Sequence, residues 1–215
     1  MKILAKIFIA LILIPVSLIL WLGFTDSGLR WSFQYAQPYL PAELNLTKID
    51  GQLFGPIRLT GVEYKQDDAL FTAREITLNW SPGALLFAEI SITRLQVESL
   101  RIQLPKPKKT DLTTQNNSAL ILPDINLPWR VSLKHAVINN LTFQQNENLV
   151  VVDKIKLNAS TLFHQLEIRE FSIQTKKLAL SIKGDIQLAD NYPHQLATHW
   201  HTRLPSGERV KGSGK

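Results

Sequence analysis

From Leu44 onward the apolar residues of this chain recur with a period of two, and that regularity limits its possible folds more than any other feature. Ile76, Leu78 and Trp80 alternate with Glu75, Thr77 and Asn79. Ile90 and Ile92 alternate with Ser91 and Thr93, Leu95 and Val97 with Gln96 and Glu98, and Leu100, Ile102 and Leu104 with Arg101 and Gln103. The pattern resumes in Val131-Leu133, Val137, Leu141-Phe143, Val150-Val152, Ile155-Leu157, Leu166-Ile168 and Phe171-Ile173. It is longest in Leu178, Leu180, Ile182, Gly184, Ile186 and Leu188. Alternation of this kind predicts strands with one apolar face. After Gln37 no helical period stands out except over Pro82 to Phe87, so amphipathic helices are not at hand to cover that face. A second sheet, a sheet curled on its own side chains, or a curled sheet whose trough takes an apolar ligand would each bury it.

The alternation slips phase at Thr93-Arg94 and Glu98-Ser99, where two polar residues separate apolar ones. Neither pair suits a tight hairpin turn, and a β-bulge or bend within one strand is expected at each. The unit apolar-x-apolar-x-x-apolar-x-apolar recurs as Ile57-Leu59-Val62-Tyr64, Ile90-Ile92-Leu95-Val97 and Leu166-Ile168-Phe171-Ile173. Such units cannot bury their apolar sides alone and must stack. Residues 105–120, with Pro105, Lys106, Pro107, Lys108 and Lys109, divide the strands into modules at 42–104 and 121–215.

Ahead of the strands, Ile7 to Phe24 is an eighteen-residue run without a charge, preceded by Lys2 and Lys6. As a helix it reaches roughly 27 Å, close to a bilayer's hydrocarbon thickness. Its length and its exit through Trp21-Leu22-Gly23-Phe24 fit an anchor better than a cleaved signal peptide, and the absence of a polar stripe argues against a buried soluble helix. A single-pass transmembrane helix over residues 7–24 is expected, with Ile7, Leu11, Ile14, Leu18, Trp21 and Phe24 in the membrane. The flanking lysines leave residues 1–6 in the cytoplasm and export the remainder. Over residues 25–41 Leu29, Phe33 and Ala36 fall at helical spacing before Pro38 and Pro41, which predicts a short amphipathic helix against the membrane surface or the sheet.

Composition removes other functions. The net charge of +6 drops to +4 without Lys2 and Lys6 and is spread thinly, against the clustered basic and aromatic surface that nucleic acid requires. The chain has no cysteine, hence neither disulfides nor thiol chemistry. No nucleophile elbow, phosphate-cradling loop or zinc-protease motif occurs. His199 and His201 flank Trp200 on one strand face, yet a zinc site needs a third ligand that the spacing does not offer. No enzyme activity, cofactor or metal is expected.

Five stretches carry a resemblance. Leu44 to Gly51 (LNLTKIDG), Gly55-Pro-Ile-Arg-Leu-Thr-Gly-Val-Glu-Tyr, Ala73-Arg-Glu-Ile-Thr-Leu-Asn-Trp, Leu204-Pro-Ser-Gly-Glu and Lys211-Gly-Ser-Gly-Lys follow the anchor and short helix in this order. This order resembles the N-terminal part of the TamB family of translocation and assembly module proteins, among the AsmA-like and bridge-like lipid-transfer proteins. The resemblance implies a bacterial inner-membrane anchor and a mainly β fold, an elongated curled antiparallel sheet (a β-taco) crossing the periplasm. It also implies phospholipid transport, support of outer-membrane protein assembly or secretion, and as partner the outer-membrane barrel TamA. Family members are many times longer, so the chain is expected to be an N-terminal piece, truncated in its second module, with the TamA-binding region beyond it. On this reading the lipid groove is lined by Ile76, Leu78, Trp80, Ile90, Ile92, Leu95, Val97, Leu100, Ile102, Leu104, Leu166, Ile168, Phe171, Ile173, Leu178, Leu180, Ile182, Ile186 and Leu188. The alternative is a scaffold whose strand edges pair with client strands without conducting lipid.

Overall fold

The computed structural model describes residues 2–39, 43–66, 68–105, 127–145, 148–189, 192–203 and 209–214, with the side chains of α1 described from Leu11. Helix α1 (Lys2–Phe24) continues through Pro15, and α2 (Asp26–Ala36) follows, closed by a 3-10 turn at Gln37–Tyr39. Ten strands form one sheet in strict chain order: β1 (Glu43–Gly51), β2 (Ile57–Gln66), β3 (Ala69–Ser81), β4 (Glu89–Leu104), β5 (Leu127–Gln145), β6 (Asn148–Phe163), β7 (Gln165–Gln174), β8 (Leu178–Gln187), β9 (His194–Arg203) and β10 (Arg209–Gly214). The fold is mainly β, an open, curled sheet whose first and last strands do not meet. The expected helical period at Pro82–Phe87 is a 3-10 turn joining β3 to β4.

Eight of the nine strand pairings are antiparallel, and the ninth, β4 with β5, is parallel. Alternation alone does not distinguish the two, because parallel and antiparallel neighbours place side chains on faces in the same way. β4 ends at Leu104 and β5 begins at Leu127. β4 therefore finishes at the end of the sheet opposite to that where β5 begins, and the linker residues Lys106, Pro107, Lys108 and Lys109 lie outside the described residues, as does Leu204–Glu208.

Both phase slips have a structural cause. Ser99 adopts a positive φ of 55°, and Gly61 and Asn140 do the same at 61° and 56° in β2 and β5. These three sit on one transverse line, between the pairs Leu59↔Ile76 and Val62↔Ala73 in β2–β3 and between Val97↔Ile138 and Arg101↔Thr142 in β4–β5. A residue outside the extended region breaks the two-residue alternation, which lets apolar side chains before and after it keep to one face. Gly61 is needed here twice over, since a Cβ would also strike the Thr47 side chain. At the other slip the register shifts where Asn79 pairs with Arg94 but Trp80 with Ile92, leaving Thr93 as the extra residue, its hydroxyl donating to the Asn79 carbonyl at 3.1 Å. That line continues through shifts at Leu133/Ala136, Asn158/Ala159 and Ile168/Phe171.

At the N-terminal end the helices are fixed to the sheet through polar contacts. The Thr25 hydroxyl caps α2 by accepting from Gly28 N–H at 3.0 Å, and Gly28 packs on the backbone of Leu22 so closely that a Cβ would lie 2.6 Å from its Cα. Asp26 accepts from Gly51 N–H at 3.1 Å and pairs with Arg30 at 2.8 Å, while Phe54 N–H donates to the Gly23 carbonyl at 2.8 Å. Trp80 Nε1 donates to the Leu53 carbonyl at 2.7 Å, tying the β1–β2 turn to the end of β3.

Candidate functional site

The registers align the apolar positions into rows that run across the strands. The central row crosses all ten: Ile49, Leu59, Ile76, Val97, Ile138, Ile155, Ile173, Leu180, Trp200 and Gly212. Beside it lie Ile57, Leu78, Leu95, Ala136, Leu157, Phe171, Ile182 and Thr198. Past the bulge line come Trp80, Ile92, Leu133, Ala159, Ile168, Gly184 and Leu196, then Ile90, Val131, Thr161, Leu166, Ile186 and His194. On the other side of the positive-φ line Leu44, Tyr64, Phe71, Ile102, Phe143 and Val150 form a further row. At about 4.8 Å per strand the central row extends roughly 43 Å.

The expected lining residues fall into these rows, with four at their margins. Leu100 sits just past the positive-φ line opposite Ala73, and Leu104 opposite Gln145. Leu178 pairs with Thr202, and Leu188 lies just beyond β8, its N–H bonded to the His164 carbonyl. The rows also hold Ile49, Leu59, Ile138, Ile155, Leu157 and Trp200, which sequence reading did not name among the expected lining positions. The signal was present as apolar-x-x-apolar in Leu46 to Ile49, Leu59 to Val62, Ile138 to Leu141 and Val152 to Ile155. Val137, read with the apolar positions of its strand, pairs instead with Gln96 and Lys156 in a polar row.

What distinguishes this face from a core is its exposure. Among the described residues no large side chain is fully buried, and the buried apolar set is only Leu29, Ala73, Val97, Ala136 and Val137. The other members of the central row are half-buried, and Trp200 remains 38% exposed. In a sandwich a second sheet would cover such a row completely. Here each side chain is shielded mainly by its neighbours in the same sheet.

Many of the alternate positions are polar and pair with one another, although the buried Oδ1 atoms of Asn79 and Asn158 have no hydrogen-bond partner among the described residues. Glu98 accepts from Asn139 Nδ2 at 2.6 Å and from Gln96 Nε2 at 2.9 Å, with Arg74 at 3.9 Å. The Gln96 and Asn139 hydrogen bonds, aided by Arg74 and Lys154, hold its carboxyl below the usual carboxylate value against a smaller opposing effect of burial. Arg58 meets Glu75 at 3.3 Å and Lys48 meets Asp50 at 2.8 Å. Arg169 binds Glu167 at 2.8 Å, which lowers the Glu167 pKa and raises that of Arg169. His199 and His201 line a hollow of about 750 Å³ on this side together with Lys154, Lys156 and Lys211. Three ammonium groups beside two imidazoles repel a cation, and among the described residues no three His, Cys, Asp or Glu side chains gather as a ligand set.

At the N-terminus Leu11, Ile14, Leu18, Trp21 and Phe24 are 69, 69, 53, 41 and 52% exposed, and the side chain of Ile7 lies outside the described residues. Among the described residues no single helix is long and apolar enough to cross a membrane. Leu11–Phe24 and Asp26–Tyr39 meet that requirement only as a pair, bent by 89°. Trp31, Tyr35 and Tyr39 form an aromatic ladder along the second arm, with ring centroids 5.6 and 6.0 Å apart, and Trp31 reaches back to Trp21 at 6.4 Å.

No curated protein and no solved structure matches the chain. The family profile described as TamB, N-terminal domain, matches it over two overlapping stretches, residues 15–119 and 105–213. Those stretches take in nearly all of the ten-strand sheet and the second half of α1, and the chain belongs to the TamB N-terminal domain family.

Proposed function

We propose that the sheet conducts phospholipid, with acyl chains moving from strand to strand along the apolar rows and head groups in water. The single observation that carries this reading is a row of apolar side chains crossing nine strands, continued by Gly212 in the tenth, with no second layer over it among the described residues. Outside the bulges the interior strands are paired with neighbours on both sides, so a ligand need supply only apolar contact, at roughly 25 cal/mol per Å² buried. A uniform lining suits movement because no position binds tightly enough to hold a lipid. Family membership supports the same direction: the protein is an envelope transport component rather than an enzyme, anchored in the bacterial inner membrane through α1, with its sheet in the periplasm and TamA as its outer-membrane partner. Photo-crosslinking from Ile102 and Leu180 in cells, with adducts identified by mass spectrometry, tests it. Phospholipid at both positions is expected; folded protein without lipid adducts at either would refute conduction.

A further inference from the structure

On the face opposite the central apolar row, two rows of alternate positions cross the sheet beside it. One runs from Asp50 through Gln96 and Lys156 to His199, the other from Lys48 through Glu98 and Lys154 to His201 and Lys211. Over β1–β4 their charges are matched. Lys48 meets Asp50 at 2.8 Å, Arg58 meets Glu75 at 3.3 Å, and Arg74 lies 3.9 Å from Glu98. Over β6–β10 the same two rows carry Lys154, Lys156 and Lys211 with His199 and His201, and no carboxylate. None of these three lysines forms an ion pair among the described residues.

These side chains surround the hollow of about 750 Å³. Its floor is Ser172, Ala179 and Ser181, whose side chains are too short to fill it. Lys154 and Lys156 form one wall from β6, and His199, His201 and Lys211 form the other from β9 and β10. At about 4.8 Å per strand the backbones of β6 and β9 are about 14 Å apart, a width that lysine stems and imidazole rings reaching inward reduce to that of a small anion. Residues two apart in a strand lie about 7 Å from one another, so the lysines of the β6 wall repel. The carboxylates closest by register on this face are Glu98, held by Gln96, Asn139 and Arg74, and Glu170, two residues along β7 from Ser172. Neither lines the hollow.

We infer that this hollow binds a doubly charged phosphate group, carried by a soluble phosphate ester or by a lipid head group. Charge and width select that class. A singly charged anion engages one wall, and a single exposed ion pair contributes little in water. A phosphate presents several oxygens to both walls at once, where ammonium and imidazole N–H groups donate charge-assisted bonds and relieve the repulsion within the β6 wall. The hollow faces away from the apolar rows, so it stands or falls independently of lipid conduction along them.

Calorimetric titration of the full chain in detergent micelles with inorganic pyrophosphate tests the site. Lys154→Gln/Lys156→Gln and Lys211→Gln each weaken one wall. Lys65→Gln/Lys134→Gln removes as much charge as the first from exposed positions outside the hollow. Binding by the unaltered chain that falls about tenfold or more in both wall variants, and less than about twofold in the control, is the expected result. Absence of binding to the unaltered chain, or an equal loss in the control, overturns the site. Unchanged affinity in either wall variant, with circular dichroism showing it folded, also overturns it. Competition then assigns the source. Displacement of pyrophosphate by glycerol phosphate identifies a soluble ester, and displacement only by phosphatidic acid added to the micelles identifies a lipid head group. Failure of both competitors overturns a phosphate ester as the ligand.

Discussion

Leu180→Asp places a carboxylate in the central row between Ile173 and Trp200. An acyl chain crossing β7, β8 and β9 touches all three side chains. A charge at the middle position strips about three or four methylenes of apolar contact, or about 3 kcal/mol at roughly 0.8 kcal/mol per methylene. The cost of an aspartate in hydrocarbon, about 2.5–3.5 kcal/mol, is of the same size. At about 1.4 kcal/mol per tenfold, lipid occupancy over β8 falls about a hundredfold. The fold should survive, because the row is not sealed by a second layer and the carboxylate can reach water when no lipid is present. Ser181→Asp is the matched control: one residue away, it faces Ser172 and His199 in a polar row that also holds Lys156. A photo-crosslinker at Ile173 reads occupancy in both variants, with circular dichroism to verify folding. Loss in Leu180→Asp and retention in Ser181→Asp is expected. Equal yields from folded protein would refute the assignment of faces and the energetics built on it.

Other consequences follow from single contacts. Trp80→Phe removes the 2.7 Å bond to the Leu53 carbonyl and should cost about 1 kcal/mol, read as faster amide exchange at Phe54 and in the α1–β1 junction. Gly212→Leu puts a Cβ 2.6 Å from the Trp200 ring and should lower stability by about 1–3 kcal/mol in thermal unfolding, with the β9–β10 ladder loosened first. Glu98 has a depressed folded pKa, so its contribution is complete above the unfolded carboxylate value near 4.5 and is lost as pH falls through the lower folded value. Glu98→Gln should therefore cost about 1 kcal/mol at neutral pH and flatten the acid limb of a stability-versus-pH curve, read by denaturant unfolding across pH.

Strand positions and the apolar face were legible because a half-buried strand writes its geometry into every second residue. Ile76-Leu78-Trp80 and Leu178 to Leu188 needed no more than that. The slips at Thr93-Arg94 and Glu98-Ser99 also read correctly, since two successive polar residues inside an apolar alternation have few local solutions other than a bulge or bend. Strand pairing was less accessible. The parallel contact of β4 with β5 depends on the end of the sheet at which β5 begins, and neither strand's own alternation depends on its neighbour's direction. Val137 was misplaced because a valine on the polar face is indistinguishable in sequence from one on the apolar face until the Ser132 and Asn140 neighbourhoods set the phase. The continuity of the central row from Ile49 to Gly212 was out of reach for the same reason: it is a property of nine registers at once.

The most direct test of lipid conduction compares the two faces at matched positions. Crosslinkers at Ile49, Ile138 and Trp200 sample the row from its first strand to its ninth, and crosslinkers at Asp50, Val137 and His199 sample the adjacent residues of the same strands. Phospholipid adducts at the first three and none at the second three are predicted. Adducts distributed equally over both sets, or confined to Ile49 beside the membrane, would contradict a continuous lipid path along the sheet.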